Sequence, residues 1–457
     1  MLTSRLGFIL LAAGCAIGLG NIWRFPFIAG QYGGAVFVLF YLIFLLLLGF
    51  PVMVMELAIG RCGKLNLTGS MRNLKNPSSS IPWEKFSKIA FTGNLILLMF
   101  YTVVTGWLLA YTWFFASGKF SRIEPEKCGE FFGAFLSSPS QGILFTFLAV
   151  AVTVIICSAG LRAGVERITK IMMAGLFLLM IVLAVQAFTL PKADEGIRFF
   201  LQPDFTRFQK DGMWQAIHAA MTQAFFTLSL GIGSIAIFGS YVKKRNSLSR
   251  EASIIIFLDT VTALVAGLII FPCCFSFGVE PGQGPSLIFI TLPKIFMNMS
   301  GGNIRGAIFF LFLSVAALTT LIAVTENLIA FGIDEFHFTR KKSTFLVSMI
   351  LFFFSLPCVF GFNLWKNFQP LGKGSNVLDL EDFLVSDNLL PLGALMIIVF
   401  CTRKTGWGFD RFLEEANTGK GVAFPKAARF YVSWILPGII FLIWIIGILK
   451  RFNISVF

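Results

Sequence analysis

The sequence predicts an all-α protein embedded in a lipid bilayer. Of its 457 residues, 56% are hydrophobic and only 13% are charged, against about 25% charged in ordinary soluble domains. Mean hydropathy is +0.82, and the apolar residues fall in runs near the length of about 20 that a helix needs to cross a hydrocarbon core. A formal net charge of +14 on a soluble chain would suggest nucleic acid as a partner. Here the bases lie in short loops between apolar runs, the pattern that orients a polytopic membrane protein, and no nucleic-acid partner is expected.

Eleven spans are expected, at about 7–29, 35–60, 89–115, 142–160, 168–190, 213–240, 252–279, 304–333, 343–361, 383–401 and 429–449. With the N-terminus in the cytoplasm, the inner loops hold Arg61, Lys64, Lys243, Lys244, Arg245, Arg250, Arg340, Lys341, Lys342, Arg403 and Lys404. The outer loops are poorer in bases, so the excess places the N-terminus inside a multi-pass protein of the cell (cytoplasmic or inner) membrane. Lys450 and Arg451 run mildly against this. Asn21, Arg24 and Pro26 in the first span argue against a cleavable signal peptide. The outer stretches 196–212 and 281–300 read as short helices lying over the bundle. No low-complexity linker interrupts the chain, so residues 1–457 form a single membrane domain.

The eight cysteines include no CxxC pair and no histidine at zinc spacing, so neither a disulfide framework nor a metal site is predicted. Cys128 lies in an outer segment and the other seven read as small packing residues. His218 and His337 are too far apart to suggest a site. Trp107 and Trp113 are expected at an interface, and most of the 55 phenylalanines against lipid or in packing. No Ser/His dyad, paired catalytic aspartates or HExxH occurs, so an enzyme is not expected, and no repeated filter motif or acidic ring supports a channel.

Two spans are interrupted. Span 1 reads Gly14-Cys15-Ala16-Ile17-Gly18-Leu19-Gly20-Asn21 and span 6 reads Thr227-Leu228-Ser229-Leu230-Gly231-Ile232-Gly233. Glycine costs about 1 kcal/mol relative to alanine inside a helix, and freed backbone groups cost more in lipid unless they line a cavity. Paired breaks five spans apart indicate a five-plus-five inverted-repeat transporter fold with its site at the midplane, a rule drawn in part from transporters of this same architecture. The repeats would cover about 5–190 and 213–401, with an additional helix at about 429–449. Half-helix N-termini suit a carboxylate, and freed carbonyls with hydroxyls such as Thr319 and Thr320 suit sodium. Threonines that merely bond their own helix carbonyls are the alternative for that pair.

The run Ala16-Ile17-Gly18-Leu19-Gly20-Asn21-Ile22-Trp23-Arg24-Phe25-Pro26 closely resembles the first helix of the neurotransmitter:sodium symporters. Glu56-Leu57-Ala58-Ile59-Gly60-Arg61 resembles their second, Phe226 to Tyr241 their sixth, and Asp387 to Gly393 their tenth. Ending after span 11 looks like the bacterial branch that includes the leucine transporter. The resemblance implies an amino-acid substrate whose carboxylate meets Leu19, Gly20, Tyr101 and a sodium ion. It places the ammonium on carbonyls of Ala16, Phe226 and Thr227 and on the Ser229 hydroxyl. The side chain would lie among Leu97, Phe226, Ile232, Thr320 and Val324. Two sodium sites are implied, one of Ala16, Asn21, Thr227 and Asp259, the other of Gly14, Ile17, Ala316, Thr319 and Thr320. Gly18 stands where monoamine carriers of the family have an aspartate, which favours an amino acid over an amine. Ile232 replaces a phenylalanine of the leucine transporter, which leans the substrate toward large hydrophobic or aromatic L-amino acids.

Arg24 and Asp382 match the outer gate, Asp334 and Tyr241 the inner gate. The chain begins only four residues before Arg5, without the arginine and tryptophan that members place there, so either Arg5 substitutes as the partner of Asp334 or the inner gate is loose. Glu56 is expected to tie both broken helices together. Glu326 either lines an ion exit path or pairs with an inner-loop base. A transport-inactive receptor or regulator, or a symporter of another small zwitterion, is the alternative function, and the oligomeric state is left open.

Asp259 replaces an asparagine that several members of the family have at the first sodium site, and Ala263, one turn on, stands where chloride-dependent members have a serine. A fixed carboxylate can take the electrostatic place of a bound chloride beside two cations. Replacing chloride with gluconate is therefore expected to leave uptake unchanged; a clear fall in the initial rate would refute this.

Overall fold

The computed structural model describes residues 5–205, 213–278 and 286–451. These form helices and turns, with one isolated backbone bridge between Asn246 and Lys420. Among them, nine helices are long and apolar enough to cross a bilayer, ten when the bent pair at the start counts as one span. That pair is α1 (Arg5–Ala16) and α2 (Gly20–Gln31), inclined at 50°. There follow α3 (Ala35–Gly63), α4 (Trp83–Ala116), α5 (Pro139–Ser158) and α6 (Leu161–Phe188). The count differs from eleven at 213–240, where α7 (Met213–Thr227) and α8 (Ser234–Gly239) are each short of a crossing length because residues 228–233 leave the helix. The chain continues with α9 (Leu248–Ser276), α10 (Gly302–Phe336), α11 (Arg340–Phe360), α12 (Val377–Thr402) and α13 (Lys426–Leu449). Below, "outer" and "inner" mean the helix ends bearing Arg24 and Arg61.

Burial sorts the helices into a centre and a lipid-facing shell. The apolar windows of α10 and α4 are 78% and 72% buried, those of α6 and α13 only 33%. α10 packs on α4, α1, α5 and α6, so its Thr319–Thr320 turn faces the α1–α2 break. α3 absorbs Pro51, which lacks an amide, with a widened turn at Leu45–Gly49. The outer stretches contain the helices Ala193–Leu201 and Ile288–Met297; residues 206–212 and 281–285 of those expectations lie outside the described residues.

Two expectations are corrected. Trp107 is buried in the outer core, with ring centroids 5.1–5.9 Å from Phe132, Phe289 and Phe362, while Trp113 is exposed. Cys62 is exposed at the inner end of α3, not packed. Cys128, though in an outer segment, is buried, and burial pushes its thiol pKa up to about 11.

Two buried inner-end charges, Arg61 and Glu326, are paired inside the protein. Arg61, fully buried, donates to the Glu415 carboxylate at 2.5 Å and to the Asn246 carbonyl at 2.7 Å, tying α3 to the short helix Phe409–Ala416. Glu326 takes a two-pronged bond from Arg340 at 2.9 and 2.6 Å, and Arg340 also donates to the Cys157 carbonyl at the end of α5. Of the two readings of Glu326, the geometry selects the pair with an inner-loop base. Arg340→Ala strands a buried carboxylate and is expected to lower stability by about 3 kcal/mol, read as a fall in the thermal unfolding midpoint of the detergent-solubilised protein; Glu326→Gln together with Arg340→Ala recovers part of it.

Candidate functional site

The site is built where the two breaks face each other. Between α1 and α2 the chain turns at Ile17, Gly18 and Leu19, and four of the freed groups find defined neighbours. The Gly18 amide donates to Asn21 Oδ1 at 3.1 Å and the Leu19 amide to the Tyr101 hydroxyl at 3.0 Å. The Gly20 carbonyl accepts from Gln223 Nε2 at 2.7 Å and the Cys15 carbonyl from the Ser229 hydroxyl at 3.3 Å. A side chain on Gly18 would collide with the hydroxyls of Thr320 and Tyr101, so this approach requires glycine.

The second break depends on α3, α4 and α12. Gly231 has φ +85° and lies against the Leu390 carbonyl of α12. Its amide donates to Glu56 Oε1 at 2.6 Å, and the same carboxylate faces the amides of Ile235 and Ala236. Glu56 therefore serves the second break; among the described residues it makes no bond to α1 or α2, which corrects its expected double role. Asn94 of α4, fully buried, donates to the Ile232 carbonyl and accepts from the Ser234 hydroxyl at 2.7 Å.

Two clusters of oxygen atoms flank the breaks. In the first, Asp259 of α9 is fully buried and accepts from Asn21 Nδ2 at 2.7 Å, from Thr227 at 3.1 and 3.2 Å and from Tyr41 at 3.3 Å. Its partners are all neutral, and among the described residues no basic side chain pairs with it. An ionised carboxylate at such a place calls for a cation. In the second, the Thr320 hydroxyl lies 3.2 and 3.3 Å from the carbonyls of Gly14 and Ile17, and Thr319 donates to the Ala316 carbonyl at 2.8 Å. Thr319 thus bonds its own helix, whereas Thr320 reaches across to the break. One hydroxyl proton cannot satisfy two carbonyls, and a hard cation would satisfy both.

Beside Thr320 of the second cluster lies a small cavity of about 10 Å³, lined also by Ala16, Gly18, Gly20, Leu97, Tyr101, Phe226, Ser229 and Ile232, with Cys15 and Leu390. Val324 is buried one turn beyond Thr320 and does not reach this lining. Above it an outer vestibule of about 250 Å³ is bounded by Trp23, Arg24, Phe100, Tyr101, Phe226 and Asp382, among others. Tyr101 and Phe226 belong to both and form the partition. Over it, Arg24 sits 4.6 Å above the Phe226 ring with Nη2 3.8 Å from Asp382 Oδ2.

The inner end differs from expectation. Arg5 pairs with Glu251 of α9 at 2.7 Å, not with Asp334. Asp334 instead accepts from the Asn66 amide at 2.8 Å and its side-chain nitrogen at 3.2 Å, because the loop after α3 brings an amide and a carboxamide to it. Tyr241 lies half-buried near both Asp334 and Glu326.

The model of the sodium:neurotransmitter symporter family matches residues 1–132 and 140–455. The chain belongs to that family. It is 34% identical over 451 residues to an uncharacterized sodium-dependent transporter, YhdH, of Bacillus subtilis, covering 98% of both chains. An uncharacterized sodium-dependent transporter of Haemophilus influenzae is 33% identical over 454 residues, with 97% of each chain covered. Among solved structures, MhsT in complex with L-phenylalanine superposes with a TM-score of 0.88 at 34% identity, over 98% of this chain and 99% of that one. The family is one of transporters, not enzymes, and its fold is the broken-helix membrane architecture described above.

Sequence reasoning missed Tyr41, Asn94, Gln223, Ser234 and Leu390. Asn94 and Gln223 carried a signal, being amides inside apolar runs, where polar groups need partners. Asn94→Leu leaves the Ile232 carbonyl without its donor and is expected to cost about 1–3 kcal/mol, seen as a lower unfolding midpoint, while Asn94→Gln retains more of it.

Proposed function

We propose that this chain is a sodium-coupled symporter that carries hydrophobic or aromatic L-amino acids by alternating access and needs no chloride. The observation that carries this reading is the pair of oxygen clusters at the two helix breaks: Thr320 of one lines the cavity, and Asn21 and Thr227 of the other directly follow its lining residues Gly20 and Phe226. The donors are carboxylate, carbonyl and hydroxyl oxygens, which suit a small hard cation. The first sodium is assigned to Ala16, Asn21, Thr227 and Asp259, the second to Gly14, Ile17, Ala316, Thr319 and Thr320.

The substrate carboxylate takes the Leu19 and Gly20 amides and the Tyr101 hydroxyl, groups that lie at the partition and face the first sodium. The ammonium takes the carbonyls of Ala16, Phe226 and Thr227 and the Ser229 hydroxyl. Leu97, Phe226, Ile232 and Thr320 contact the side chain, with Val324 as a second layer behind them. The relation to MhsT, whose solved complex holds L-phenylalanine, supports an aromatic or hydrophobic substrate, as does an apolar lining that offers a polar side chain few partners.

Room for such a substrate comes from swinging Phe226 out of the partition, which joins the 10 Å³ cavity to the 250 Å³ vestibule. Closing Arg24 onto Asp382 then seals the outer side. The inner gate around Tyr241 and Asp334 opens against Asn66 rather than against Arg5. The repeats at about 5–190 and 213–401 move relative to each other, with the N-terminus in the cytoplasm.

The test is uptake of labelled amino acids into proteoliposomes with an inward sodium gradient, then with potassium in its place. Sodium-dependent accumulation of phenylalanine, leucine or a similar substrate is expected, and folded protein that accumulates none of them would reject the reading. Asp259→Ala and Thr320→Val each remove a proposed sodium ligand, and each is expected to reduce uptake at least about tenfold, equivalent to about 1.4 kcal/mol.

A further inference from the structure

At the inner end, away from the cavity and the gates, an open pocket of about 480 Å³ lies between the start of α1, the N-terminus of α9 and the turn at Gly419–Lys420. Its walls carry Arg5, Arg245, Arg250 and Lys420 against a single acid, Glu251. Glu251 is buried and engaged by Arg5 Nε at 2.7 Å. Among the described residues Arg245, Arg250 and Lys420 form no ion pair, so three of the four positive charges have no counter-charge. Arg5 Nη2 is itself buried without a hydrogen-bond partner. Nη2 shares with Nε the edge that faces Glu251, whose Oε2 is likewise buried without a partner, so the charge left for an anion is that of Arg245, Arg250 and Lys420.

The backbone around these charges is firmly held. Lys420 donates its amide to the Arg245 carbonyl at 3.2 Å, and Gly419, at φ +103°, lies against the backbone of Arg245 and Asn246. The Ser247 hydroxyl donates to the Val422 carbonyl at 2.6 Å, and buried Arg61 holds the Asn246 carbonyl at 2.7 Å. The 29-residue helix α9 starts at this wall, so the positive end of its dipole adds to the side-chain charge.

We propose that this pocket binds a phosphate group, taken either from the headgroup of an anionic phospholipid or from dissolved phosphate. Two or three non-bridging oxygens with one or two negative charges match converging arginines, which grip phosphate through paired N–H bonds. The pocket is large enough for a headgroup, and it lies where α9 leaves its apolar run, the level at which basic clusters meet anionic lipid. Because Arg5 begins the first broken helix, an occupant holds that end of α1 against α9.

The experiment uses the full chain and reads stability and binding, so it succeeds or fails independently of transport. Unfolding midpoints are compared in phosphatidylcholine vesicles with and without phosphatidylglycerol, and inorganic phosphate is titrated into the detergent-solubilised protein by calorimetry. A variant combining Arg245→Ala, Arg250→Ala and Lys420→Ala leaves the transport residues intact. Stabilisation by phosphatidylglycerol that the triple variant loses identifies a lipid headgroup. Saturable phosphate binding that the variant loses identifies a dissolved anion. No effect of either ligand on the wild type, or an equal effect on the variant, overturns the proposal. Should the triple variant fold poorly, Arg245→Ala and Lys420→Ala are made singly; each is expected to weaken binding about fivefold, and unchanged affinity in both overturns it equally.

Discussion

Freed backbone groups in a place without water are the constraint on which this molecule is built. A helix crossing hydrocarbon satisfies its own amides and carbonyls, and every residue that leaves the helix exposes groups costing several kcal/mol unless they are paired. The breaks at 17–19 and 228–233 expose several at once. Long, continuous helices supply the partners. Tyr101 and Asn94 come from α4, Glu56 from α3 and Thr320 from α10. The rigid scaffold therefore exists to hold irregular backbone, and the burial of α4 and α10 follows from that duty.

The pairing is incomplete in an informative way. Glu326 is matched by Arg340 and Arg61 by Glu415, so these charges are settled within the protein. Asp259 has only neutral partners, and the Gly14 and Ile17 carbonyls share one hydroxyl. Both shortfalls are of positive charge, both involve oxygen, and both lie at a helix break. Small cations that entered would complete the bonding of each break, which couples their binding to the shape of the site.

Much of this was legible in the sequence. Glycines clustered in apolar runs mark the breaks, because glycine in a membrane helix needs a reason. Asn21, Asp259, Thr319 and Thr320 stand out as polar residues within apolar runs, and their clustering around the breaks agrees with that reading. Tyr41 and Leu390 gave no such signal, since an aromatic and a leucine in a membrane helix are ordinary. Of the two readings offered for Asp334, substitution by Arg5 is the one the structure does not bear out, because pairing between distant segments depends on which groups the packing brings together. Asn66 reached Asp334, and Glu251 took Arg5.

By itself the sequence determined that the chain is helical and membrane-embedded, where its helices break, and which polar residues must be accounted for. These follow from composition and local periodicity, which act through neighbours along the chain. Only the tertiary structure decided which partner each polar group found: Arg340 for Glu326, Glu251 for Arg5, the second break alone for Glu56, and the outer core for Trp107. Those choices are set by packing between residues up to hundreds of positions apart, such as Arg5 and Glu251, and local sequence carries no term for that distance.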